Sequence, residues 1–134
     1  MVTRQFSGLR RSPWGEKKRE QVRSEDIYCV ALEQTFSLHR LDYWHCRVSQ
    51  TSQPGWPDYA IFGDGWHAFM EVKARSLATG RLGKVSDHQR RWKASIEQAG
   101  AEWVTYTLPD DWDALDDWLC AHTGREIRGQ GASA

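Results

Sequence analysis

The stretch YAIFGDGWHAFMEVK, residues 59–73, constrains the fold more than any other part of the chain. Two runs of strand formers flank GDG, a tripeptide that favours a tight hairpin turn. Residues 59–63 and 66–73 are therefore expected to pair as antiparallel strands. Side chains alternate along a strand, so Met70 and Val72 face one side while Glu71 and Lys73 face the other. Asp58 stands at the start of the first strand, which an antiparallel hairpin lays beside the end of the second. The pattern predicts that Asp58, Glu71 and Lys73 converge at one end of a sheet.

Elements on either side complete an α-β-β-β-α-β-α order. Ser24 suits an N-cap, with Glu25 and Asp26 favourable in the first turn. Ile27, Val30, Ala31, Gln34 and Leu38 recur at helical spacing, which predicts a helix over 24–39. DYWHCRVS (42–49) reads as a strand and TSQPGWP (51–57) as a loop. After a glycine-bearing loop, Ser86 is placed to cap a helix over 87–99 that Gly100 ends. EWVTYTL (102–108) is a further strand. The next helix begins near Pro109 and Asp110 and carries Trp112, Leu115, Trp118 and Leu119 on one face; its aspartates read as structural. Residues 1–23 read as a basic flexible arm, 24–122 as one domain, and 123–134 as a flexible tail. A chain of 134 residues with 40% hydrophobic content and eight tryptophans suits a single domain.

Two carboxylates held together repel unless a cation lies between them. Oxygen ligands with open positions suit magnesium or manganese, which keep waters and bind substrate phosphate. A lysine beside them can orient or deprotonate a water and offset charge on a phosphate under attack. Phosphodiester hydrolysis is the reaction class to which this points. Each piece also has an ordinary structural reading: ExK is commonly an exposed ion pair, and PD is commonly a turn. What favours chemistry is that PD opens one strand, ExK closes the next, and a hairpin joins them.

These residues resemble the PD-(D/E)XK nuclease superfamily and, within it, the VRR-NUC (virus-type replication-repair nuclease) family. The resemblance spans about residues 24–120 in order: Glu25, Arg47, Gly55-Trp56-Pro57-Asp58, Glu71-Val72-Lys73, Gly80 or Gly83, and Ser86-Asp87-His88-Gln89. It implies an α/β fold of the restriction-endonuclease-like kind, with a small mixed central sheet flanked by helices. It implies Asp58 and Glu71 as ligands of Mg2+ or Mn2+, with the Val72 carbonyl as a third. Lys73 would position or activate the water, and Gln89 would face the site from its helix. Glu25 would reach the metal through water or only favour its helix N-terminus, with Glu33 the alternative. Arg47 would contact DNA phosphate or pair with an acid at the sheet edge. By the same resemblance the partner is DNA, branched or junction DNA in particular, and the assembly a homodimer. Cleavage of duplex or flap DNA, and an inactive DNA-binding module, remain the competing expectations.

Charge fits that partner. The formal net charge is zero, yet basic residues gather at 4–23 and 73–93 while acids gather in PDDWDALDDWL. Arg75, Arg81 and Lys84, on the loop beside the carboxylates, are the candidate phosphate contacts, which position DNA without reading sequence. RLGK resembles the end of a phosphate loop, but Val85 stands where Ser or Thr is required, which removes a nucleotide-hydrolase reading. Cys29, Cys46 and Cys120 have neither disulfide-framework nor zinc spacing and read as free thiols. The basic N-terminus lacks the apolar core of a secretory signal, and no apolar run is long enough to span a membrane. A cytoplasmic location is the resulting expectation.

Overall fold

The computed structural model describes residues 24–46, 54–82 and 84–128. The expected N-terminal arm, Arg47 and residues 129–134 lie outside that range, as do the side chains of Ser24 and Glu25. The elements follow the expected order: α1 (Ser24–Leu38), β1 (Asp42–His45), β2 (Tyr59–Gly63), β3 (Trp66–Ala74), α2 (Asp87–Gln98), β4 (Glu102–Leu108) and α3 (Trp112–Thr123).

The four strands form one sheet in the order β1-β2-β3-β4. The first three pair antiparallel, and β4 returns parallel to β3. A parallel return needs a crossover, and α2 supplies it. Gly65 turns the β2–β3 hairpin at φ +82°, a conformation open to glycine at no steric cost. The result is a small α/β domain with a mixed four-stranded sheet and three helices among the described residues.

Alternation along the strands separates two faces. Tyr59, Ile61, Met70, Val72 and Leu108 enter a core with Leu32 and Phe36 of α1 and with Trp112, Leu115 and Leu119 of α3. Leu32 and Phe36 lie one turn apart, so one stripe of α1 is buried. That helix closes with the Arg40 amide on the Ser37 carbonyl (3.0 Å) and the Leu41 amide on the Phe36 carbonyl (3.0 Å). This is a Schellman closure with Arg40 in the left-handed region at φ +59°.

α3 starts later than the sequence predicts. Asp111 is its N-cap by position, yet its side chain makes no cap hydrogen bond. Its carboxylate accepts the Thr107 amide instead (2.7 Å), holding the turn that leaves β4. Of the stretch expected as a tail, residues 124–128 make specific contacts: the Ile127 carbonyl lies 3.1 Å from His39 Nε2 and accepts from Cys120 Sγ at 3.3 Å. All three cysteines are free. No helix among the described residues is long and apolar enough to cross a membrane.

Candidate active site

The hairpin register places Tyr59 opposite Met70, so the next pair outward is Asp58 and Glu71. Asp58 Oδ2 accepts the Val72 amide at 2.8 Å, which ties the start of β2 to the end of β3. A strand residue aims its N–H and C=O at the same neighbour. The Val72 carbonyl therefore points toward the Asp58 side of β3.

Glu71 is buried on the face opposite the main core. Its Oε2 accepts from Gln89 Nε2 at 2.5 Å and lies 3.4 Å from Lys73 Nζ. Lys73 donates to Gln89 Oε1 at 3.0 Å and to the Lys84 carbonyl at 3.3 Å. Glu71, Lys73 and Gln89 thus close a triangle. The side chains of the two charged members are 7% and 15% exposed, so each charge depends on its partners for compensation.

Gln89 is held from behind by a capping box. The Ser86 hydroxyl accepts the Gln89 amide (3.1 Å), while Gln89 Oε1 accepts the Ser86 amide (3.0 Å). One side chain therefore both caps α2 and reaches the charged pair. Glu71, Lys73 and Gln89 line a cavity of about 40 Å³ together with Trp103 and Thr105 of β4.

The loop before Asp58 docks on the same helix. Trp56 meets Trp92 of α2 edge-on at 4.8 Å between centroids and Phe69 of β3 at 5.8 Å. Gly55, at φ +84°, lies against the main chain of His88 and Gln89.

The predicted DNA contacts divide. Arg75 is engaged within the protein: it pairs with Asp110 (2.7 Å) and donates to the Gly80 carbonyl (3.0 Å). The Arg75 guanidinium holds the Asp110 carboxyl below its ordinary value. Arg75 thereby fastens the 75–82 loop to the turn after β4. Arg81 and Lys84 are exposed, and the Lys84 carbonyl reaches the site through Lys73.

Of the two outer acids, Glu25 lies in the first turn of α1, with its side chain outside the description. Glu33 belongs to a different group, which the sequence reading did not foresee. It accepts from the Tyr59 hydroxyl (2.7 Å) and the Tyr43 hydroxyl (3.2 Å), and lies 2.9 Å from His45 Nδ1. Burial, with help from Cys29 and Glu33, pushes the Tyr59 phenol well above its ordinary pKa. The only advance signal was alternation: Tyr43 and His45 fall two residues apart on β1, opposite Ile61 and Tyr59. Asp116, fully buried on α3, was also not singled out.

No group of three or more His, Cys, Asp or Glu side chains among the described residues forms a metal cluster. The donor set here is smaller: two carboxylates and one main-chain carbonyl, all hard oxygens. That chemistry fits a magnesium-type ion, which commonly takes one or two protein carboxylates and completes its shell with water and phosphate. No family model, curated protein or solved structure matches the chain.

Proposed function

We propose that the protein is a metal-dependent endonuclease that hydrolyses phosphodiester bonds in DNA, with branched DNA as its preferred substrate. The observation that carries this reading is the bond from the Val72 amide to Asp58, which ties a second carboxylate to the strand end that carries the Glu71–Lys73–Gln89 triangle. A structural ion pair needs only Glu71 and Lys73. The second carboxylate, Asp58, is held beside them by the Val72 amide.

Asp58, Glu71 and the Val72 carbonyl would hold Mg2+ or Mn2+. Such an ion supplies positive charge beside the scissile phosphate and makes a water more acidic. Lys73 keeps an ammonium near the attacked phosphorus, where it opposes the charge that builds up in the transition state. Gln89 fixes the direction of Lys73 and orients the water. Arg81 and Lys84 hold the DNA backbone through contacts that weaken with salt. Preference for branched substrates, and action as a homodimer, rest on the family resemblance.

The test uses a four-way junction, a flap and a linear duplex, each with magnesium, manganese or chelator. Wild-type protein cuts the junction fastest and only with metal, while Asp58→Ala and Lys73→Ala bind DNA without cutting it. Cleavage that survives either substitution defeats the mechanism. Equal cutting of duplex, flap and junction defeats the substrate assignment alone. Tight DNA binding without cleavage by wild type identifies a binding module.

A further inference from the structure

We infer that Gly55 and Trp56 are positioning residues: they set the height of α2 above the sheet and thereby place Gln89 against Glu71 and Lys73. The inference deepens the nuclease reading and rests on it for its catalytic consequence.

A Cβ at Gly55 would lie 2.3 Å from the His88 carbonyl carbon, 2.5 Å from the Gln89 nitrogen and 2.5 Å from the His88 oxygen. All three atoms are main chain, so no side chain can rotate away to make room. Ordinary contact begins at 3.4 Å, so any other residue would drive the strand-leading loop and the helix apart by about 1 Å, against the close packing of the interior. The pressure would fall on Gln89 itself. Its bonds of 2.5 Å to Glu71 and 3.0 Å to Lys73 would stretch beyond useful range with that movement.

Trp56 adds a second hold one turn further along α2. Its ring packs on Trp92 and on Phe69 of β3, spanning helix and sheet. Pro57 is buried, and Asp58 is tied to the Val72 amide. Residues 55–58 therefore touch α2 at one end and β3 at the other. These are the two elements whose side chains meet in the triangle. A turn glycine needs only its positive φ, whereas Gly55 has that and a main-chain contact.

Gly65 separates the two requirements. It has nearly the same φ, +82°, but a Cβ there meets nothing within 4 Å. Gly65→Ala carries the conformational strain alone, and Gly55→Ala carries strain plus contact. With a cleaved substrate and magnesium, Gly55→Ala is expected to lower the single-turnover rate about 100-fold, the scale of a 1 Å misplacement. DNA affinity in chelator should stay unchanged, and Gly65→Ala should cut at the wild-type rate. In a Gln89→Ala background, Gly55→Ala should cost nothing further. Equal rates for the two glycine variants, or additive losses in the double variant, would overturn the inference.

Amide hydrogen exchange gives a readout that needs no catalysis. Exchange at Gln89 and Arg90 should quicken in Gly55→Ala and not in Gly65→Ala; matching exchange in the two overturns the inference. If Gly55→Ala does not fold, Trp56→Ala removes the second hold without a main-chain clash and should quicken the same amides. Slow exchange there overturns the inference equally. Should wild type cut no DNA, the nuclease reading fails while the exchange comparison still decides whether this loop sets α2.

Discussion

Glu71 and Glu33 are both half-hidden or buried carboxylates at the sheet, yet their surroundings are built from different chemistry. Glu33 accepts from two tyrosine hydroxyls and faces His45, so neutral donors and an aromatic stack enclose it. Glu71 meets a lysine and a glutamine and borders a small cavity, with Asp58 in the adjoining register position. The first arrangement locks α1 to β1 and β2. The second gathers charge that a bound cation and a phosphate would complete. The two acids share burial and differ in the kind of group that answers it.

The largest expected separation between the two comes from substitution. Glu71→Gln keeps the shape and the contact with Gln89 but removes a ligand charge. It should abolish metal-dependent cleavage while the protein stays folded and still binds DNA. Calorimetric Mn2+ titration should show the lost affinity, and retained affinity would place the metal elsewhere.

Glu33→Ala should do the reverse. It strips the acceptor from two tyrosine hydroxyls, at about 1–3 kcal/mol for each that is left buried and unsatisfied. Denaturant melts should register that loss, with the cleavage rate per folded molecule unchanged. If Mn2+ affinity fell with it, the two acids would share one site and the contrast would dissolve.

A smaller effect follows from pH. The Tyr59 phenol has its folded-state pKa raised, chiefly by burial. A raised value contributes stability that is complete below the unfolded-state pKa and is lost as pH climbs beyond it. The unfolded value for tyrosine is about 10, so stability should decline above that point. Absorbance at the phenolate band should show Tyr59 ionising only with unfolding; ionisation in the folded protein would contradict the enclosure described for the Glu33 group.

Much of the site was legible because its determinants are local. The hairpin needs a turn signal and two alternating runs, and Ser86 with Gln89 spells a capping box within four residues. These give the positions of Asp58, Glu71, Lys73 and Gln89 without knowledge of the remaining packing. The Glu33 group was hidden because it joins α1, β1 and β2, and no spacing within a single element announces such a contact. Arg75 has a partner hidden from the sequence for a related reason. Its basic neighbourhood suits phosphate, but Asp110, 35 residues away, claims it in the folded chain. The start of α3 shifted because residues 109–111 form a turn, with the Asp111 amide on the Thr107 carbonyl and the Asp111 carboxylate on the Thr107 amide. The mixed sheet and the element order match what the sequence predicts.

The triangle also sets a lower limit on how far the protein can be reduced. A short turn brings Asp58 onto the Val72 amide next to Glu71, but Gln89 reaches Lys73 across 16 positions and Glu71 across 18. A peptide of the hairpin alone would carry both acids and the lysine, yet a two-stranded hairpin is at best marginal in water. It would also lack the helix that aims them. Any fragment that preserves the triangle must therefore keep the loop, the crossover helix and the parallel strand that returns from it, because that geometry belongs to the crossover rather than to the motif.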